Sequence, residues 1–185
     1  LFDVMNQMIQ SSWRKDLLEN LQGNILEVGV GTGANLSYYP SNVHVTGIDF
    51  SPKMLMKAYE KIDKAEVKVV LREMDAQDMD FPDNTFDAVV STYVFCSIPN
   101  PVKGFKEIRR VVKPEGKIVM LEHMRSENVV AGKILDLMNP LTVRIVGANV
   151  NRKTIENIEK AGLRIEQQKY LMTSIMRKII ISPNK

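Results

Sequence analysis

The chain has 185 residues, 44% of them hydrophobic and 25% charged, with a formal net charge of +3; that supports one well-buried core and leaves two separate cores cramped. The charge excess is too small to argue for nucleic acid, because no Lys/Arg cluster is interleaved with aromatics. The lone Cys96 excludes an intrachain disulfide framework and suits a reducing, cytoplasmic setting, and no apolar run reaches the roughly eighteen residues that a membrane span needs. Residues 4–20 carry Val4, Met8, Ile9, Trp13, Leu17 and Leu18 at helical spacing. Residues 24–29 read as a first strand, and a helix is expected to open near Thr32 or Gly33. A second strand covers 43–48. Ser51-Pro52 then supplies an N-cap with proline at the first helical position, and Met54, Leu55, Ala58 and Ile62 share one face of the helix that follows. Residues 67–71 and 86–92 are strands three and four, and Asn100-Pro101 starts a helix through about Val112. Residues 113–116 read as a turn and 117–122 as strand five. Residues 129–147 are apolar but irregular, and Asn139-Pro140 splits them into a helix plus a loop. A helix over 152–161 ends at Gly162, and two last strands, roughly 163–170 and 174–181, form a hairpin. This alternation predicts an α/β fold: a doubly wound, mostly parallel sheet of about seven strands with an antiparallel edge hairpin, residues 1–185 forming a single domain with an N-terminal helix over 1–20.

The most informative stretch is Ile25-Leu26-Glu27-Val28-Gly29-Val30-Gly31-Thr32-Gly33-Ala34. An apolar strand stops in three alternating glycines, with a carboxylate two residues before the first. Such glycines take φ > 0 and let a ligand approach without meeting a Cβ. Asp49 closes the second strand twenty residues after Gly29, the spacing of a side chain that grips the ribose of a nucleoside at the turn. The turn also satisfies the dinucleotide pattern G-x-G-x-x-A, so an NAD(P)-dependent oxidoreductase is one alternative and a non-catalytic cofactor-binding module another. Three features weigh against a dinucleotide. Glu27 would repel a pyrophosphate and attract an ammonium. Gly33 tightens the loop, and little chain remains to build a dehydrogenase's substrate site. A cofactor with a cationic amino-acid end and no phosphate meets all three points, and S-adenosylmethionine is that molecule.

Glu27-x-Gly29-x-Gly31-Thr32-Gly33, Asp49, Asp75-Ala76, Phe81-Pro82-Asp83-Asn84-Thr85-Phe86-Asp87 and Val112-Lys113-Pro114-Glu115-Gly116 resemble the class I S-adenosylmethionine-dependent methyltransferases of the type 11 group. The resemblance covers roughly residues 20–125 in order and spacing. It implies a Rossmann-like sheet of order 3-2-1-4-5-7-6, with S-adenosyl-L-homocysteine as the product left by the cofactor. It further implies that Glu27, Gly29, Gly31 and Gly33 hold the methionine moiety and Asp49 the ribose hydroxyls. Phe50 and Met54 would pack near the adenine, and Asp75 and Ala76 would contact its amino edge. The family's common proline-glycine-glycine turn is Pro114-Glu115-Gly116 here. Gly33-Ala34-Asn35-Leu36, Tyr39-Pro40, Val94-Phe95-Cys96-Ser97-Ile98 and Leu121-Glu122-His123 are similar to a branch holding thiol methyltransferases and bacterial phospholipid N-methyltransferases. That implies a small or lipophilic acceptor of the phospholipid amine, thiol or quinone-precursor type.

Methyl transfer from a sulfonium is an in-line displacement, so it asks for alignment and exclusion of water and needs no metal. Ligands of open α/β sheets sit at the strands' carboxyl ends, so the acceptor is expected where strands four and five meet residues 124–151, read as an acceptor-side insertion or lid. There His123 is a candidate base, with a surface or hydrogen-bonded structural histidine as the simpler reading, and Tyr93 a candidate wall or cation–π partner of the sulfonium, for which ordinary packing serves equally well. Met5, Met8, Met124, Met138 and Met172 either fill the core or line an adaptable apolar acceptor site, and Cys96 reads as a small buried hydrophobe. The expected partner is a small-molecule or lipid-like acceptor, not nucleic acid, with peripheral membrane contact left open. The oligomeric state is not legible, and the start at Leu1 leaves a preceding targeting or anchoring segment open.

Overall fold

The computed structural model describes residues 2–185, with side chains described from Met8 onward apart from Val146. In chain order the elements are α1 (Phe2–Leu18), β1 (Asn24–Val28), a short 3-10 turn (Leu36–Tyr38), β2 (His44–Asp49), α2 (Pro52–Ile62), β3 (Lys68–Glu73) and β4 (Phe86–Thr92). There follow α3 (Pro101–Val111), β5 (Val112–His123), α4 (Val129–Val146), α5 (Thr154–Lys160), β6 (Arg164–Met172) and β7 (Met176–Ser182). The strands form one sheet in the order β3-β2-β1-β4-β5-β7-β6. Parallel pairing joins β3, β2, β1, β4 and β5, and β7 runs antiparallel to both β5 and β6.

Strands covered on both faces read as continuous apolar runs, because alternate side chains enter two different cores. On one face Leu26, Val28, Val89 and Met120 pack with Phe105 and Ile108 of α3 and Ile158 of α5. On the other, Ile25, Val45, Val90 and Leu121 pack with Leu17 and Leu18 of α1 and Leu55 of α2. Phe95 and Phe105 stack with ring centroids 3.8 Å apart, fixing the β4–α3 connection onto α3. The Ser51 cap forms as expected, its hydroxyl accepting from Met54 N at 3.4 Å.

Four local expectations change. No α-helix opens after β1, because Gly29, Gly31 and Gly33 hold φ at +68°, +55° and +71°, and the residue before Pro40 is extended; only the 3-10 turn fits between them. Residues 112–116 extend β5 through a bulge opposite Phe86–Ala88 and do not form a free turn. Residues 129–147 do not split at Asn139-Pro140: α4 runs through Pro140 and stops at Gly147, φ +73°. Asn139 Oδ1 accepts from Val150 N at 3.0 Å and Thr142 Oγ1 donates to Asn139 O at 2.9 Å, so the residue before the proline is anchored both to the next turn and to the segment after the helix. Along α1 the buried stripe holds Leu17 and Leu18 with Ile9 and Trp13 half-buried, but Met8 is exposed, and Val4 lies outside the described side chains.

Candidate active site

The carboxyl ends of β1, β2 and β4 frame a cleft of roughly 600 Å³, within the usual size of small-molecule sites. One wall grows from the glycine turn. Val30 N donates to Ile48 O at 3.0 Å, which ties the turn to the end of β2. Asp49 completes that tie: its Oδ2 accepts from Gly31 N at 2.8 Å and its Oδ1 from Ser51 N at 2.9 Å. A carboxylate offers about four lone-pair positions, so two remain for a ligand. A Cβ on Gly31 would meet only Gly29 O at 3.9 Å, because this residue borders the open cleft. Gly29 is different: its Cβ would lie 2.3 Å from Val94 Cγ2, so bare backbone is needed where the turn meets the β4 loop. Phe50, 79% exposed, and Met54 give the cleft an apolar rim, with Asp75 and Ala76 beside them. Gln77 N and Nε2 both donate to Asp75 Oδ1, at 2.8 and 3.0 Å, which sets the carboxylate in place.

Gly33 does not line the cleft. Its Cβ would strike Leu36 Cδ1 at 2.9 Å and Ala58 at 3.3 Å, so it serves the packing of α2 against the turn. Glu27 reaches the cleft floor, but it is buried and does not stand there as a free anion. Asn35 Nδ2 donates to Oε1 at 2.7 Å and Tyr39 Oη to Oε2 at 2.9 Å. Burial pushes its pKa up to about 7 against the pull of these two bonds and of the nearby Arg14. The electrostatic sorting of ammonium from pyrophosphate expected of Glu27 is therefore weaker than its charge alone suggests. Arg14, from α1, hydrogen-bonds Asn35 Oδ1 and donates to Thr92 Oγ1 at 3.2 Å. Sequence reasoning gave Asn35 and Tyr39 no site role and missed Arg14; its only signal was a cation one residue after Trp13 on the α1 stripe.

The opposite wall follows β4. Tyr93 has φ +61°, lies on the cleft, and its hydroxyl is buried without a hydrogen-bond partner among the described residues. The Arg14 guanidinium carbon stands 5.3 Å from its ring centroid. Behind it, Glu122 Oε1 accepts from Ser91 Oγ at 3.0 Å, Val94 N at 3.2 Å and Phe95 N at 3.4 Å, while its Oε2 has no partner among the described residues. Burial pushes Glu122 up to about 7 as well. Sequence reasoning chose its neighbour His123, which the structure keeps out of the cleft lining; it sits in register with Met176 of β7, and burial lowers its pKa. Of the five methionines considered for an acceptor site, Met124 is core, Met8, Met138 and Met172 are exposed, and the Met5 side chain lies outside the described residues. Met54 and Met74 line the cleft in their stead. The Cys96 thiol is half-buried, and burial raises its pKa.

The family model described as "Methyltransferase domain" matches residues 26–120. That span holds the glycine turn, Asp49 and Asp75, the residues that build one cleft wall. The chain belongs to the class I S-adenosylmethionine-dependent methyltransferases of the type 11 group. Its cofactor is accordingly S-adenosylmethionine, which sets aside the oxidoreductase alternative. This methyltransferase is 46% identical over 103 residues to the "Phosphatidylethanolamine N-methyltransferase" of Cereibacter sphaeroides, an alignment covering 55% of this chain and 51% of that protein. It is 30% identical over 176 residues to the human "Thiol S-methyltransferase TMT1A", covering 87% of this chain and 71% of the relative. The chain thus spans about half of the first relative and most of the second. Among solved structures, a SAM-dependent methyltransferase from Aquifex aeolicus superposes with TM-score 0.65 at 22% identity, covering 85% of this chain and 80% of that one. The [4+2]-cyclase SpnF superposes with TM-score 0.74 at 17% identity, covering 94% and 79%. A cyclase on the same frame shows that the sheet alone does not define a reaction. Among the described residues, no helix is long and apolar enough to cross a membrane.

Proposed function

We propose that the cleft holds S-adenosylmethionine along the tips of β1, β2 and β3, and that the chain methylates a lipophilic amine, with a phospholipid amine headgroup as the favoured acceptor. The observation that carries the cofactor placement is Asp49. It braces Gly31 and Ser51 through two backbone N–H bonds and keeps two lone-pair positions for ribose hydroxyls. Phe50 and Met54 cover the adenine, Asp75 and Ala76 meet its amino edge, and the Gly29–Gly31 backbone follows the methionine end. Glu27, pinned by Asn35 and Tyr39, forms the floor under the amino-acid tail. The bound cofactor supplies a methyl group on a cationic sulfur. The chain's own task is alignment and exclusion of water, worth several kcal/mol in well-oriented displacements, roughly 7–11 at the limit. Tyr93 lines the cleft, and its hydroxyl, buried and without a partner among the described residues, is free to turn toward the acceptor and accept a hydrogen bond from the amine in its neutral form; His123 lies outside the lining and takes no step.

Support for the amine comes from the 46% identical phosphatidylethanolamine N-methyltransferase. A lipophilic thiol is the second reading, favoured by the longer alignment with the thiol S-methyltransferase. Calorimetry with S-adenosylhomocysteine and with NADH tests the cofactor: stoichiometric binding of the first and none of the second is expected. Labelled methyl transfer to monomeric short-chain phosphatidylethanolamine, an alkyl thiol and a demethylated quinol then tests the acceptor. Label on the amine nitrogen supports the proposal, and label on sulfur or carbon alone overturns it.

A further inference from the structure

Eight of the large exposed apolar side chains among the described residues lie on α4: Val129, Val130, Ile134, Leu137, Met138, Leu141, Val143 and Ile145. Five of them, Val130, Ile134, Leu137, Leu141 and Ile145, recur at steps of three and four and so share one face, with Leu137 84% and Ile145 72% exposed. The opposite face is fastened to the body. Gly132 is buried beneath the Arg125 guanidinium, and Asn139 bonds Val150 N and Asn149 Oδ1. The Arg125–Asp136 ion pair and the Asn139 bonds hold α4 on the side away from the stripe, and the apolar stripe is exposed.

Charge on α4 is just as one-sided. Asp136, its acid, is taken by Arg125 at 2.8 Å. Lys133 and Arg144 stand along one edge of the stripe and have no ion-pair partner among the described residues. An apolar stripe edged by free cations matches an anionic lipid surface, where alkyl stems lie along acyl chains and cationic heads reach phosphates. A second copy paired through the same stripe would set Lys133 of one helix near Arg144 of the other, a like-charge contact.

The segment after α4 also grips the cleft. Cys96 O accepts from Asn149 N at 2.8 Å, Asn149 Nδ2 at 3.0 Å and Arg152 Nη2 at 3.2 Å, and Ile98 O accepts from Arg152 Nη2 at 2.8 Å. Ser97, Ile98 and Pro99 line the cleft, so whatever seats α4 also sets the position of the cleft lip.

We infer that α4 lies in the interface of an anionic bilayer, its stripe sunk among acyl chains and Lys133 and Arg144 among headgroup phosphates. The inference rests on the proposed function only for what then enters the cleft, not for the contact itself. Sedimentation with phosphatidylcholine–phosphatidylglycerol vesicles tests it, since these vesicles hold no primary amine and read docking with no acceptor present. The wild-type chain should sediment with the mixed vesicles and much less with phosphatidylcholine alone. Leu137→Glu/Leu141→Glu should lower the bound fraction about tenfold or more, with melting temperature and S-adenosylhomocysteine binding unchanged. Should the glutamates disturb folding, Leu137→Ser/Leu141→Ser gives the same reading, and Lys133→Gln/Arg144→Gln should erase the preference for phosphatidylglycerol. Wild-type chain left in the supernatant with both vesicles overturns the inference, as does a dimer by light scattering that Leu137→Glu/Leu141→Glu dissolves. Methyl transfer to monomeric short-chain phosphatidylethanolamine, measured on the same variants, should persist, so failure of docking and failure of the acceptor assignment give different results.

Discussion

At the β1–β2 wall of the cleft the polar groups facing the ligand space are tied to neighbours: Asp49 to Gly31 and Ser51, Glu27 to Asn35 and Tyr39, Asp75 to Gln77. Across the cleft, Tyr93 at the end of β4 lines the space, and its hydroxyl, with Glu122 Oε2 behind it outside the lining, is buried with no partner among the described residues. The first wall is preorganised, as suits one fixed ligand. The second keeps polar atoms uncommitted, and an orphaned buried polar group costs about 1–3 kcal/mol until something pairs it. On the proposed function, the cofactor wall and the acceptor wall are thus built differently within one cleft.

The largest expected effect comes from the place where the two walls touch. Gly29→Ala puts a Cβ 2.3 Å from Val94 Cγ2 at φ +68°. We expect a loss of about 2–4 kcal/mol in thermal unfolding and no measurable S-adenosylhomocysteine binding by calorimetry. Gly31→Ala, at φ +55° but with open space around its Cβ, should cost about 1–2 kcal/mol. Equal losses at the two positions would show that backbone strain alone, and not contact between the walls, decides the geometry.

Next is Asp49→Ala, which removes an acceptor from two backbone N–H groups and from the ligand. A loss of about 1.5–3 kcal/mol in S-adenosylhomocysteine affinity is expected, roughly a factor of 10 to 150. Asp49→Asn keeps one acceptor oxygen and should fall between; affinity unchanged in both variants would take Asp49 out of the site.

The buried carboxylates give a smaller, pH-dependent effect. Glu27 and Glu122 are both raised from 4.5 to about 7 by burial. A raised carboxyl pKa means that the folded state binds protons more tightly than the unfolded one. Stability from these groups is full below about pH 4.5 and is lost as pH rises through about 7. Glu122→Gln removes one titrating group and keeps an oxygen for Ser91, Val94 and Phe95. Its melting temperature should fall less between pH 5 and 8 than that of the wild type, with a gain of order 1 kcal/mol at the alkaline end. A pH profile parallel to the wild type would show that Glu122 does not titrate there.

How much of this was legible before the structure follows the same division. Strand β4, the Ser51 cap and the place of Asp49 at the end of β2 were readable because local chemistry dictates them: an apolar run, a capping hydroxyl followed by proline, a fixed spacing; the strand order came from the family resemblance and is the one observed. The missing helix after β1 was not, since three positive-φ glycines and the extended step before Pro40 act together over a stretch whose composition looks helical. Gly33 was misplaced because its neighbour Ala58 belongs to another element. Glu122 and His123 are adjacent in sequence but face opposite sides of β5, and only the pairing register tells which side meets the β4 loop. Arg14 reaches the site only because α1 packs over the strand ends, a tertiary fact with no local signature. Pro140 misled in the same way, since α4 runs through it while Asn139 ties the helix to Asn149 and Val150 beyond it.

Tyr93→Phe is expected to disturb the fold least and so separates the two walls most cleanly. The hydroxyl that it deletes has no partner among the described residues, so removal is expected to cost the folded state no hydrogen bond and to relieve an unsatisfied buried group. Thermal unfolding should change by less than about 0.5 kcal/mol, and S-adenosylhomocysteine affinity should stay within about twofold. The ring remains under the Arg14 guanidinium, so the contact between α1 and the β4 loop persists. Methyl transfer is the measurement that should move: with the orienting oxygen gone, kcat for the amine acceptor should fall about tenfold or more while the cofactor term is unaffected. If affinity for the cofactor product dropped instead and kcat held, Tyr93 would belong with Asp49 and Glu27, and the uncommitted wall would have to be sought elsewhere along β4 and β5.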